Sequence, residues 1–132
     1  MTEKINISSK EHTEFIDITS RVQSAVYESG VTSGMCLIYI PHTTAGVTIN
    51  ENSDPDVQRD LIKELEKIVP WNDDFAHFEG NSAAHLKATI CGFSELIPIE
   101  NGKLDMGIWQ AIYFAEFDGP RNRNFILKIF GV

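Results

Sequence analysis

The run Met35-Cys36-Leu37-Ile38-Tyr39-Ile40 is apolar throughout and is closed by Pro41. No polar residue interrupts it, so it reads as a strand covered on both faces and therefore central to a sheet. Shorter runs supply its neighbours. Ile5 and Ile7 alternate with polar residues, and Phe15-Ile16-Asp17-Ile18 is a second short run, which places two strands in the first 18 residues. Val47-Thr48-Ile49 reads as another strand, and Leu96 to Met106 reads as a hairpin turning at Asn101-Gly102. Two long strands, Ile108 to Phe117 and Phe125 to Phe130, complete the set.

Helical spacing appears three times. Val22, Ala25 and Val26 recur before Gly30, which predicts a helix over about residues 20–29 with Thr19 as its cap. Asp54-Pro55-Asp56 opens a second, whose apolar face is Leu61, Ile62, Leu65, Ile68 and Val69 and which ends at Pro70. Ser82 is the expected cap of a third, running to about Cys91 and stopped by Gly92. Residues 71–81 show no period. About eight strands with three irregularly placed helices predict an α+β fold, a compact β-sandwich-like arrangement of mixed sheets, and 132 residues fit a single domain spanning 1–132.

Composition narrows the partners. Eleven Lys and Arg against nineteen Asp and Glu give a net charge of −8, so nucleic acid and anionic membranes are not expected ligands. No apolar run approaches the roughly 18 residues needed to span a bilayer, and the start MTEKINISSKEH is polar. Cys36 and Cys91 each sit beside apolar residues, which suits buried thiols better than a disulfide or a metal knuckle and predicts a cytoplasmic protein.

His42, His77 and His85 fall in or beside loops at element ends, where side chains can converge, and imidazole is the commonest metal-ligand side chain. Their separations hold no short metal motif, so convergence depends on the fold; His12 reads as a surface residue. Around them lie Thr43, Thr44, Asn50, Glu51, Asn52 and Asp54, then Glu79, Gly80 and Asn81. Glu51 or Glu79 could orient an imidazole or move a proton, although these residue types also serve turns and caps; Asp54 reads as a cap. Arg121 and Arg123 form a cationic spot in an acidic chain, able to hold phosphate or to pair with surface carboxylates. Trp109 reads as a packing residue. No Walker loop, dinucleotide fingerprint or serine nucleophile elbow occurs.

Several segments together carry a resemblance: Pro41-His42-Thr43-Thr44-Ala45-Gly46, Asn50-Glu51-Asn52 with Asp54-Pro55, His77 with Glu79-Gly80, Ala84-His85-Leu86-Lys87, Gly107 with Trp109-Gln110, and Glu116 before Arg121 and Arg123. In this order they resemble the YjbQ family of secondary thiamine-phosphate synthase-like proteins, over nearly the whole chain. The resemblance implies a homotrimer and a clustered site in which His42, His77 and His85 hold a divalent metal such as zinc, or an anion. It implies a weak secondary activity in which the nitrogen of a thiazole phosphate displaces pyrophosphate from a pyrimidine diphosphate. Glu51 and Glu79 would then act as the catalytic carboxylates, with Thr43, Asn50, Asn81, Lys87, Arg121 and Arg123 binding a phosphorylated small-molecule substrate. Loss of pyrophosphate needs positive charge at the departing oxygens, which the arginines, Lys87 or a metal would provide. A three-histidine site suits zinc-activated water better than Mg²⁺-type phosphate chemistry, so a metal-assisted hydrolase of a small phosphorylated or acyl compound, or a non-catalytic metal- or metabolite-binding protein, stands as the alternative.

Overall fold

The strand predicted to be central is central. In the computed structural model, which describes residues 1–77 and 80–132, β3 (Ser33–Tyr39) lies in the middle of a five-stranded antiparallel sheet. Its neighbours are β8 (Asn122–Gly131), followed outward by β1 (Thr2–Ser8), and β5 (Ser94–Glu100), followed outward by β6 (Lys103–Leu104). A second sheet sets β7 (Gln110–Glu116) between β2 (Glu14–Asp17) and β4 (Ala45–Glu51). The helices are α1 (Thr19–Ser29), α2 (Pro55–Ile68) and α3 (Ser82–Cys91).

The main core lies between the sheets. Cys36, Ile38, Ile97, Phe125, Leu127 and Ile129 from the larger sheet meet Val47, Ile112 and Phe114 from the smaller one, together with Val22 and Val26 of α1. Each fully buried side chain of this kind stabilises by about 1.5–3 kcal/mol, so the interface of the two sheets dominates the energetics. On the far side of β7, Ala115 and Phe117 pack against Ala84 and Ala88 of α3, which makes a third layer. Gly46 permits this approach, since a Cβ there would lie 2.5 Å from the Gly92 carbonyl oxygen. That contact gives the Gly of the His-Thr-Thr-Ala-Gly segment a packing role.

The structure corrects several local readings. β3 buries only the face bearing Gly34, Cys36 and Ile38; Met35 and Leu37 are half-buried and Tyr39 is 47% exposed on the outer face. An apolar run therefore marked a central strand without marking two covered faces. Thr19 begins α1 but does not cap it, because its hydroxyl accepts the Ile112 N–H at 2.8 Å. Asn81, not Ser82, is the N-cap of α3. The strand expected from Ile108 begins only at Gln110, and Ile108 and Trp109 project from a turn with 83% and 62% exposure, so Trp109 does not fill the core. Other readings match: Asp54 caps α2 by accepting the Asp56 N–H at 2.9 Å, Gly30 ends α1 at φ 73°, and Asn101 and Gly102 turn the hairpin at φ 53° and 75°. The open edge of β6 is closed by Gln23, whose amide donates to the Gly102 carbonyl at 3.1 Å and accepts the Leu104 N–H at 3.0 Å. Cys36 and Cys91 are free thiols, both pushed up to about 11 by burial.

Candidate functional site

β3 ends at Tyr39, and the chain turns at Pro41 before entering β4 at Ala45. In the antiparallel register Tyr39 faces Ile126 of β8, so Asn124 would oppose Pro41 if the ladder continued. Proline has no N–H to give. The His42 ring takes over this place: its Nε2 lies 3.1 Å from the Asn124 backbone N and 3.0 Å from the Asn124 carbonyl oxygen. Burial, with the nearby Arg123 guanidinium, lowers the His42 imidazole below its ordinary value, against the weaker pull of the Asn124 hydrogen bond and Glu116.

Behind His42 lies a buried ion pair. Glu116 is fully buried and Arg123 is 8% exposed. Arg123 Nε donates to Glu116 Oε1 at 2.9 Å, and its Nη2 donates to Glu116 Oε2 at 2.5 Å and to Thr44 Oγ1 at 2.8 Å. Ser9 Oγ and the Asp118 N–H also donate to the carboxylate, at 2.7 and 3.0 Å. Burial alone would raise the Glu116 carboxyl, yet these donors outweigh it and hold the group below the usual carboxylate range. The loop after β7 fits this network closely, since a Cβ on Gly119 would lie 2.7 Å from Ser9 Oγ and 2.9 Å from Glu116 Cγ.

Pro41, His42, Thr43, Thr44, His77, Asn81, His85, Arg121 and Arg123 line one open cleft of about 470 Å³. A larger hollow of about 750 Å³ between α1 and the β5–β6 hairpin contains no histidine and lies apart from this cluster. In the cleft, the His77 and His85 rings stand edge to face with centroids 5.3 Å apart. Asn81 donates through Nδ2 to Asp118 Oδ2 at 3.0 Å, which turns its Oδ1 away from the carboxylate; that oxygen is buried without a hydrogen-bond partner among the described residues. Asp118 also receives Arg121 Nη2 at 2.9 Å.

All three histidines predicted to converge therefore border the same cleft, with Thr43, Asn81, Arg121 and Arg123 beside them. The arginines do not form a bare cationic spot, because each is already paired with a carboxylate, Arg121 with Asp118 and Arg123 with Glu116. Lys87 is absent from the cleft: it is 1% exposed, and its ammonium donates to Glu66 Oε2 of α2 at 2.5 Å. Asn50 and Glu51 occupy the opposite end of β4 from Ala45, about 20 Å along the strand, since each residue advances about 3.3 Å. Glu51 there accepts Ser53 Oγ at 3.2 Å, and Asn50 Oδ1 accepts the Glu51 N–H at 2.8 Å. Glu79 lies outside the described residues. Asp54 is the helix cap it resembled, and His12 is half exposed, edge to face with Trp71 at 4.4 Å.

Two imidazoles bound to one tetrahedral Zn²⁺ at about 2.0–2.1 Å would have centroids about 5 Å apart, so the His77–His85 spacing suits two positions of such an ion. A three-histidine centre is not preformed among the described residues. No group of three His, Cys, Asp or Glu among them is arranged to hold a metal, and His42 has Nε2 engaged by the β8 backbone.

Sequence reasoning missed Glu116, Asp118, Ser9 and Asn124 as parts of this site. Glu116 had a readable signal, a carboxylate embedded in the apolar stretch Ile112–Phe117, which implies a buried partner. Asn124 had none, because it serves His42 through its backbone.

Fold and cleft together define a small α+β protein with a histidine-lined, arginine-flanked site. The chain belongs to the family described as UPF0047 protein YjbQ-like, whose model matches residues 3–132. It is 48% identical to the UPF0047 protein YugU of Bacillus subtilis, covering 99% of this chain and 100% of that one. It is 51% identical to the UPF0047 protein MJ1081 of Methanocaldococcus jannaschii, covering 97% and 93%. A crystal structure of a yjbq/upf0047 family protein from Clostridium acetobutylicum superposes with TM-score 0.96 at 53% identity, covering 97% of this chain and 99% of that one. A YbjQ-like protein of unknown function from Sulfolobus solfataricus gives TM-score 0.96 at 32% identity, covering 100% and 97%.

Proposed function

We propose that the cleft binds a phosphorylated small molecule and that the protein is an enzyme acting on it, with weak thiamine-phosphate synthase activity as a secondary reaction. The observation that carries the reading is the convergence of His42, His77, His85, Asn81, Arg121 and Arg123 on one cleft. Imidazoles and guanidinium groups are donors suited to phosphate oxygens, and the chain's net charge of −8 favours a small anion held at a local site over nucleic acid. In the secondary reaction the thiazole nitrogen attacks the pyrimidine methylene carbon, the carbon–oxygen bond breaks, and pyrophosphate leaves with the electron pair. His77, His85 and Arg121 would hold its oxygens.

The test is formation of thiamine phosphate from the two substrates by wild type, His85→Ala and Arg121→Ala, each shown folded by circular dichroism. The expected result is a fall of roughly 10–100-fold in both variants. Unchanged product formation in both would overturn the assignment.

A second reading, metal-assisted hydrolysis of a small phosphorylated or acyl compound, is favoured by the His77–His85 spacing. Near-stoichiometric zinc in protein purified without added metal, lost in His77→Ala, would support it; protein free of metal that still turns over ester substrates would remove it.

The homotrimer belongs to the same proposal. On the outer face of the larger sheet, Tyr39, Leu96 and Phe130 are 47%, 55% and 40% exposed, with Met35, Leu37 and Ile126 between them. An apolar strip of this kind, interrupted by the exposed Lys128 opposite Leu37, supports an interface between chains. Sedimentation equilibrium should give three chains, and Leu96→Lys should shift the population toward monomer. No helix among the described residues is long and apolar enough to cross a membrane, and the two free thiols suit a reducing cytoplasm.

A further inference from the structure

The backbone around His42 has a property that a ligand-binding histidine alone would not need. Its Nε2 sits within hydrogen-bond distance of both the N–H and the C=O of one residue, Asn124. With hydrogen on Nε2 the ring donates to the carbonyl. With hydrogen on Nδ1, the bare Nε2 accepts the N–H. When doubly protonated, it again donates to the carbonyl. β8 thus offers the ring an acceptor when Nε2 carries hydrogen, with the Asn124 N–H then left without the ring as partner, and a donor when Nε2 is bare, because the two lie side by side where β3 has departed. Nδ1 makes no hydrogen bond among the described residues, and His42 borders the cleft.

We propose that His42 is the proton-transfer group of the cleft, working through Nδ1 while Nε2 stays on the Asn124 backbone. The inference rests on reading the cleft as a phosphate-ester site. In the step it implies, Nδ1 takes the proton of a hydroxyl or water as that oxygen bonds to phosphorus. The old P–O bond then breaks on the opposite side of phosphorus with its electron pair on the leaving oxygen, which takes a proton from water, and Nδ1 releases its own proton to solvent. No oxidant or metal enters the balance. Burial and Arg123 favour the neutral ring, whereas Asn124 and Glu116 favour the imidazolium formed in mid-reaction, with Lys4 opposing it weakly. The buried Glu116–Arg123 pair adds no net charge behind the ring.

This assignment has a consequence for the class of reaction. A thiazole nitrogen brings no proton for Nδ1 to take, so the transfer reaction leaves His42 unused. The nucleophile that matches the site carries an O–H. His42 then takes the acid–base role that sequence reasoning gave to Glu51 and Glu79.

The test uses the full chain labelled with ¹⁵N, inorganic phosphate as the probe, and long-range ¹H–¹⁵N correlation of the histidine rings, with His42 identified by loss of its signals in His42→Gln. The expected result is hydrogen on Nε2 and a bare Nδ1 in the free protein. Phosphate, which carries an O–H, should then shift Nδ1 saturably toward the protonated position while Nε2 stays in place. In His85→Ala the same shift should need roughly tenfold more phosphate, about 1.4 kcal/mol of lost binding. Hydrogen found on Nδ1 in the free protein would overturn the proposal. So would an unmoved Nδ1 while His77 and His85 respond, which leaves the phosphate cleft standing. Silence from all three rings would overturn both.

Discussion

The two ends of β4 look alike in sequence and differ in the structure. Each carries a polar cluster, Pro41-His42-Thr43-Thr44 before the strand and Asn50-Glu51-Asn52 at its end. At the far end the polar groups are consumed locally: Tyr113 Oη and Gln58 Nε2 each donate to the Glu51 carbonyl at 2.6 Å, and Asn52 Nδ2 donates to the Ile108 carbonyl at 2.9 Å. Those bonds hold the turn from which Trp109 projects. At the near end, side chains from three distant segments meet across a cleft, and Asn81 Oδ1 remains buried and unpaired among the described residues. Polar residues close together in sequence most often satisfy one another or the adjacent backbone. Capacity for a ligand appears where residues far apart in sequence converge and some groups remain unspent.

Substitutions should separate the two ends sharply. The largest effect is expected for Glu116→Ala, which leaves Arg123 buried without its carboxylate and should cost about 3–5 kcal/mol in urea unfolding. Glu51→Ala, removing a surface carboxylate with one 3.2 Å hydroxyl contact, should stay within about 0.5 kcal/mol. Equal losses would erase the distinction. Next comes Gly46→Ala, whose Cβ would lie 2.5 Å from a backbone oxygen; a destabilisation of about 1–3 kcal/mol in the same assay is expected.

Acid should act on the near end first. The Glu116 carboxyl is held low in the folded state, so its contribution to stability is complete above its ordinary value of 4.5 and is lost as pH falls through the lower folded value. Glu116→Gln should therefore flatten the decline in thermal stability below pH 4.5, whereas Glu51→Gln should not. Lys87→Met should act more mildly than Glu116→Ala. Its partner Glu66 is 51% exposed and recovers water, so a cost of about 1–2 kcal/mol is expected, with phosphate affinity unchanged. A marked loss of phosphate affinity would return Lys87 to the cleft.

The strands and helices were legible because their signals are local: the apolar run at Met35–Ile40, the Asp54-Pro55 start of α2, and the Asn101-Gly102 turn each specify structure within a few residues. The outer face of β3 is uncovered in the single chain, and sequence could not show this because an apolar residue looks the same whether it packs in the core or against a second chain. The site was half legible. Residue type marked His42, His77, His85, Arg121 and Arg123, but the roles of two of them depend on distant partners, Thr44 for Arg123 at 79 positions and Asn124 for His42 at 82. Lys87 misled for the same reason: nothing in Ala84-His85-Leu86-Lys87 shows that residues two apart on a helix face different neighbours.

The most direct measurement is the affinity of inorganic pyrophosphate, by isothermal titration calorimetry, for wild type, His85→Ala and Glu51→Ala. A site at the near end of β4 predicts saturable binding in wild type, roughly tenfold or greater weakening in His85→Ala, and an unchanged constant in Glu51→Ala. Binding that survives His85→Ala intact but weakens in Glu51→Ala would place the anion at the other end of the strand and contradict the cleft.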